Sequence, residues 1–155
     1  MKLYRIPIGG WTKCVHEAAA FESKGEYAVA TILDRSETVE WWLRNDPPVL
    51  RIPTPIGYFE PDFVYRSLQK GAWVLGIVEV KGSIFWDGEG SEARLKALAA
   101  CEWVRVTNAA DTDTRWEFSV VLDQDSLSIA SLEGLRSDAL VSCPEQYDDD
   151  LNTSV

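Results

Sequence analysis

"YFEPDFVYR" (58–66) and "GIVEVKGS" (76–83) lie close together in a largely apolar stretch, and each reads as a β-strand. Each also carries charge where a buried strand should have none: Asp62 lies within the first, directly before Phe63, and Glu79 and Lys81 end the second. Side chains alternate along a strand, so Leu75, Ile77, Glu79 and Lys81 share one face while Val74, Gly76, Val78 and Val80 share the other. Burying a carboxylate or an ammonium is costly unless it is paired or bound to a metal. An ion pair at a strand end is enough to account for Glu79 and Lys81. Asp62 is the additional feature. A turn near Gly71 makes the two strands a hairpin, which brings Asp62 toward Glu79. The two carboxylates and the Val80 carbonyl then suit one divalent cation, with Lys81 beside the attacking water. Phosphodiester hydrolysis needs this equipment: a cation and an ammonium offset the charge that builds on phosphorus. From spacing alone, both the salt bridge and the catalytic site stay open.

Outward from this hairpin, the pattern is that of a small α/β protein. Residues 3–8 are a short strand candidate ended by Gly9-Gly10. "SKGEYAVATILDRSETVEWWLRN" (23–45) reads as helical, with Ser23-x-x-Glu26 as a capping box and a candidate break near Asp34–Ser36. Within it, Trp41 and Trp42 point about 100° apart on a helix, which favours one in the core and the other partly exposed. Asp46-Pro47-Pro48 stops any helix there. "VLRIPTPIG" is interrupted by Pro53 and Pro55 and suits an edge strand or a strand end. After the hairpin, Gly82–Gly90 reads as a loop, and Ser91 caps a helix, "EARLKALAACEWV". "WEFSVVLD" (116–123) is a further strand, and a short helix follows within 124–140. The expectation is a small mixed sheet flanked by helices.

Length favours one domain, over 1–143, with an acidic tail at 144–155 whose composition predicts disorder. Apolar runs are too short to span a bilayer and the start lacks a signal-peptide pattern, so a soluble, cytoplasmic protein without a membrane partner is expected. Cys14, Cys101 and Cys143 are an odd, scattered set that reads as free thiols. His16, the single histidine, would have to serve any Ser-His-Asp, Cys-His or His-zinc site, and nothing beside it supports such a role. Oxygen ligands suit Mg²⁺ or Mn²⁺. The net charge of -10 is awkward for a nucleic-acid binder, and residues 138–155 contribute half of it. Arg44, Arg51, Arg66, Lys70 and Arg94 are read as ordinary solvated charges, with a local basic face as the alternative.

Pro61-Asp62 and Glu79-Val80-Lys81 resemble the defining motif of the PD-(D/E)XK nuclease superfamily. The likeness extends to the nuclease domain of type III restriction-enzyme subunits and related helicases. Phe21, Ser23, Glu26, Ala30, Leu33 and Asp34 match that branch's "F-x-S-x-x-E…A…L-D". Ile52 to Asp62 match "I-P-T-P-x-G-x-x-x-P-D", and Glu79–Ser83 match "E-x-K-G-S". Lys96, Ala97–Ala100 and Trp103 match the following helix. The resemblance spans about residues 21–122. It implies a restriction-endonuclease-like fold and a Mg²⁺- or Mn²⁺-dependent DNA endonuclease in a restriction or phage-defence setting. In that setting Asp62 and Glu79 bind metal, Lys81 assists the water, and Glu26 reaches the same site. Glu26 has a second reading as the capping-box partner of Ser23, and both roles are compatible. For Lys96 an exposed helix lysine is the default and an auxiliary phosphate role the alternative. No P-loop G-x-x-x-x-G-K-[ST] occurs, so a helicase or translocase partner would be a separate chain. A homo-oligomer is also open. Two other readings stand beside the enzyme. One is an inactive nuclease-fold assembly module that docks on a partner, and the other is an acidic DNA mimic.

Overall fold

The computed structural model describes residues 6–87, 91–111 and 113–144. A five-stranded mixed sheet forms its centre, in the order β3 (Val39–Arg44), β6 (Phe63–Gln69), β7 (Ala72–Lys81), β8 (Arg115–Leu122) and β9 (Val141–Cys143). Two small two-stranded pairs stand outside it: β1 (Ile8–Gly9) with β2 (Ala18–Ala19), and β4 (Ile52–Thr54) with β5 (Gly57–Phe59). The helices are α1 (Lys24–Arg35), α2 (Ser83–Trp86), α3 (Glu92–Ala110), α4 (Asp123–Ser126) and α5 (Leu132–Asp138). This is the mixed α/β, restriction-endonuclease-like arrangement expected from the sequence.

The β6–β7 hairpin forms as expected. Its turn puts Lys70 at φ 51° and Gly71 at φ 80°. Two successive positive φ values match the right-handed twist of the flanking strands. β7 and β8 are parallel and need a crossover, which α3 supplies. Ser91 caps α3, its hydroxyl accepting the Arg94 N–H at 3.2 Å.

Each sheet face carries its own core. Val29, Ala30 and Leu33 of α1 are fully buried over Trp42, Phe63, Tyr65, Val78 and Val80. Their spacing on α1 is that of one helix face. On the other side Ala97, Ala100 and Val104 of α3 cover Ile77, Phe118 and Val120, together with Ile52 and Phe59 of the β4–β5 hairpin and Trp86 of α2. Gly76 is required by this packing. It lies opposite Tyr65 in the ladder, and a Cβ there would fall on the Tyr65 ring. Gly76→Ala is therefore expected to lower the unfolding free energy by about 1–3 kcal/mol through overpacking. A urea midpoint unchanged from wild type would contradict this.

Three expectations are corrected. The helix does not continue through 39–44; it ends at Ser36, whose backbone is extended (φ -68°, ψ 125°), and "VEWWLR" is strand β3. β-Branched and aromatic residues suit a pleated, half-buried surface. Here Val39–Arg44 gain the antiparallel ladder with β6, broken by a bulge between Val39 and Trp41. Trp42 is indeed buried and Trp41 half-buried, but strand alternation is the cause. The Trp42 indole N–H donates to Asp34 at 3.0 Å, and Asp34 also accepts the backbone N–H groups of Thr12 and Lys13. Burial works against the Asp34 charge, yet these hydrogen bonds outweigh it and hold the carboxyl below its ordinary range.

Second, Cys101 and Cys143 form a disulfide between α3 and β9, with Cα atoms 5.6 Å apart, so only Cys14 is a free thiol. The packing of α3 on the sheet edge brings together cysteines 42 positions apart in the chain. Third, Arg44 is not a solvated charge. It is buried, as described below. Of the strand candidate at 3–8, only Ile8 is in a strand, β1; Ile6 and Pro7 are not, and residues 3–5 lie outside the described residues, as does 145–155 of the acidic tail. Among the described residues no helix is long and apolar enough to cross a membrane.

Candidate active site

The β6–β7 register pairs Phe63 with Val78 and Val64 with Ile77. Continued by two residues, it sets Asp62 opposite Glu79 and Pro61 opposite Val80. Proline has no N–H to donate, so the ladder stops at this point and leaves the Val80 main chain without a strand partner on that side. The Asp62 side chain takes over: its Oδ2 accepts the Val80 N–H at 2.8 Å. In a strand the N–H and C=O of one residue face the same neighbour, so the Val80 carbonyl is also directed to the Asp62 side.

Alternation carries Glu79 and Lys81 to the face shared with Ile77. Glu79 is buried, while Lys81 is about one-third exposed with its Nζ 3.4 Å from Glu79 Oε2. From the opposite face Arg44, at the end of β3 and opposite Phe63, lies over the Phe63 ring with its guanidinium carbon 5.6 Å from the centroid. Its Nη2 stands 2.6 Å from Glu26 Oε1, and its Nη1 donates to the Asp62 carbonyl at 2.9 Å and lies 3.4 Å from Asp62 Oδ1. Arg44 thus joins α1 to the metal-ligand candidates across the end of β6. Of the capping box at Glu26, one half forms. Ser23 Oγ accepts its N–H at 3.1 Å, but its own carboxylate takes the Glu22 N–H at 2.8 Å, not that of Ser23.

Asn45 locks the adjoining backbone. Its Nδ2 donates to the Leu50 and Pro61 carbonyls at 2.9 Å each, and its Oδ1 accepts the N–H groups of Val49 at 2.7 Å and Leu50 at 3.0 Å. A buried amide with both donors and both lone pairs engaged is fully satisfied and fixes what it touches. Its backbone N–H also donates to the Asp62 carbonyl at 2.8 Å. Arg44 and Asn45 are the residues that sequence reasoning missed. Reading 39–44 as a strand antiparallel to 63–69 would have exposed them, because the end of that strand falls beside Asp62.

The cluster has too little positive charge. Three carboxylates (Glu26, Asp62 and Glu79) face two cations (Arg44 and Lys81). Burial, and secondarily Asp62, push the Glu26 carboxyl up to about 7, against the pull of Arg44. Burial also drives Glu79 well above its usual range, reinforced by the charge of Asp62 and a hydrogen bond with it, and opposed by Lys81. Close buried carboxylates cannot all ionise unless a cation joins them. All of the candidate donors are oxygens, as a hard divalent cation prefers. The residues therefore fit Mg²⁺ or Mn²⁺, with Asp62, Glu79 and the Val80 carbonyl nearest one another. Glu26 meets this set through Arg44, and among the described residues no three acidic, His or Cys side chains already stand in metal-holding geometry.

Lys96 is not drawn into these contacts; its Nζ pairs with Glu92 one turn earlier on α3, at 3.0 Å. His16 is exposed. Of the other candidate cations, Arg51 is engaged with Glu60 and the Tyr58 ring, Arg66 with Glu40 and the Trp73 ring, and Arg94 with the Trp86 carbonyl and ring, while Lys70 is exposed in the β6–β7 turn, at the far end of the hairpin from Asp62.

Residues 12–118 match the model of a family described as an endonuclease domain. No curated protein and no solved structure matches the chain. The matched span is well over half of the chain and takes in Glu26, Arg44, Asp62, Glu79 and Lys81 together with the strands that carry them. The chain belongs to the endonuclease-domain family, of the restriction-endonuclease-like PD-(D/E)XK type.

Proposed function

We propose that this protein is a divalent-metal-dependent endonuclease that hydrolyses DNA phosphodiester bonds at the Asp62–Glu79–Lys81 site. The chief support is the meeting of Asp62 and Glu79 at the ends of neighbouring strands, with an ammonium 3.4 Å from one of them. Endonuclease domains imply DNA as the substrate, and those of this type generally use divalent metals. Asp62, Glu79 and the Val80 carbonyl are the residues to hold the ion, with Glu26 placed behind them through Arg44. When bound, Mg²⁺ or Mn²⁺ supplies Lewis-acid polarisation of the scissile phosphate and lowers the pKa of water.

The chain's own groups do the rest. The Lys81 ammonium, anchored by Glu79 and open to solvent on its other side, orients the attacking water and offsets charge as the new P–O bond forms and the bridging P–O bond breaks. Arg44 and Asn45 fix the Asp62 backbone, so its carboxylate arrives preorganised. A restriction or phage-defence setting, with a helicase or translocase as partner, is what the likeness to type III subunits supports. An oligomer would supply the second site that concerted double-strand cutting requires.

Supercoiled plasmid incubated with the purified protein and Mg²⁺, Mn²⁺ or EDTA tests the reading. Nicked or linear product is expected with either metal and none in EDTA, and Lys81→Ala is expected to lose the activity. Cutting that persists in EDTA, or in Lys81→Ala at the wild-type rate, would overturn the assignment.

A further inference from the structure

An acidic chain whose described arginines are largely engaged with acids and aromatic rings has few phosphate contacts to offer a polyanion. Contacts to the bases are the other source of affinity. The segment after Lys81 is built for them. α2 begins directly after Gly82, and its Ile84 and Phe85 are 83% and 69% exposed. The next residue, Trp86, is buried in the α3-side core. Arg94 lies over the Trp86 ring at 5.3 Å, and its Nε donates to the Trp86 carbonyl at 2.7 Å. The Phe85 N–H donates to the Gly82 carbonyl at 3.1 Å, and that of Asp87 to the Ser83 carbonyl at 2.8 Å. The turn is therefore pinned from behind while its two large apolar side chains project into solvent. Isolated exposed apolar residues are ordinary, but two in succession on a fixed turn directly after the Lys81–Gly82 end of β7 form a built surface. Tyr58 and Trp73, also exposed, each lie under an arginine, whereas Phe85 has no aromatic or cationic partner among the described residues.

We propose that Ile84 and Phe85 are a wedge for the DNA substrate. Phe85 stacks on a base beside the scissile phosphate and Ile84 fills the opened step. The proposal rests on the endonuclease reading and adds to it the residues that seize the base next to the cut. Position identifies the occupant. Phe85 is four residues beyond Lys81, so its Cα lies at most about 14 Å from that of Lys81. A phosphate held at Lys81 brings its own bases within reach of the ring. Apolar wedges of this kind unstack and kink DNA, and base–aromatic stacking is indifferent to sequence.

The test uses the full chain with a duplex carrying 2-aminopurine at successive positions around the cut. The Lys81→Ala background with Mg²⁺ prevents turnover. Binding is expected to raise 2-aminopurine emission at one or two positions. Phe85→Ala is expected to abolish that rise and weaken binding about tenfold to a hundredfold. The salt slope should not change, since no phosphate contact is lost. Phe85→Trp should retain tight binding, and unchanged thermal melting of each variant would confirm that the fold is intact. Emission and affinity in Phe85→Ala equal to those of Lys81→Ala alone would overturn the wedge while leaving the endonuclease intact. Light scattering that shows Phe85→Ala dissociating a wild-type dimer, with DNA affinity per protomer unchanged, would assign the patch to a second copy and equally overturn it. A wild-type chain that neither binds nor cuts DNA with Mg²⁺ or Mn²⁺ would fell both readings.

Discussion

Asp62→Asn is expected to leave the protein at least as stable as wild type in metal-free buffer while lowering cleavage by about a thousandfold. The two halves of this result have one cause. The Asn side-chain oxygen can still accept the Val80 N–H, so the local backbone keeps its hydrogen bond. What disappears is a negative charge in a cluster already one cation short. Asp62 raises both Glu26 and Glu79, and its neutralisation lets those carboxyls ionise more readily. A gain of about 1 kcal/mol at pH 7.5 is expected, since one pKa unit corresponds to about 1.4 kcal/mol. The same charge is what a divalent ion needs. Loss of several kcal/mol of transition-state stabilisation gives the thousandfold drop. Metal titration followed by thermal melting separates the two effects: Mg²⁺ or Mn²⁺ should raise the wild-type melting temperature and leave that of Asp62→Asn nearly unchanged. A stabilising residue kept at a cost to activity would do the opposite, losing stability and cleavage together. An Asp62→Asn variant that cuts plasmid at the wild-type rate would remove Asp62 from the site.

The charges at Asp62, Glu79 and Lys81 are also what made the hairpin legible in the sequence. Charged residues on buried strands break the pattern that the rest of the chain obeys, and a functional site is where such breaks are expected. Asp62, Glu79 and Lys81 announced themselves by contradicting their surroundings, and antiparallel pairing across Gly71 was enough to bring them together. Ser91 and Ser23 were legible as caps for a similar reason, because a side-chain oxygen placed before a helical run has a local partner. Arg44 was not legible. At the end of a stretch read as helix it looked like any surface arginine, and only the ladder between β3 and β6 puts it beside Asp62. Short segments such as "VEWWLR" have periodicity compatible with either element, and tertiary pairing decides between them. The Cys101–Cys143 bond was hidden for a stronger version of the same reason. Its second cysteine sits on a three-residue strand paired with β8, just beyond the segment read as helical. Contacts made by distant elements carry no local signature.

Arg44→Met should cost about 3–5 kcal/mol at pH 8, the range for removing one partner of a buried ion pair. Methionine keeps much of the volume over Phe63 but leaves Glu26 buried and unpaired. The pH dependence identifies the charge as the cause. Glu26 has a folded-state pKa raised from 4.5 to about 7, so the stability it contributes is full below about 4.5 and is lost as pH rises through 7. Arg44 restrains that rise. Without Arg44 the Glu26 carboxyl moves higher still, and the loss continues further up the pH scale. In EDTA-containing buffer the gap between wild type and Arg44→Met should therefore be about 1 kcal/mol wider at pH 8 than at pH 5, where Glu26 is protonated in both, because the two differ in Glu26 charge only above pH 7. Adding Glu26→Gln to Arg44→Met should recover that pH-dependent part of the loss, because no unpaired charge then remains in that place. Cleavage should not recover in the double variant, since the Arg44 hydrogen bond that positions the Asp62 carbonyl is still missing. Urea midpoints measured from pH 5 to 8 decide the matter. An equal penalty at both ends, untouched by Glu26→Gln, would make Arg44 a packing residue and separate Glu26 from the site it is argued to serve.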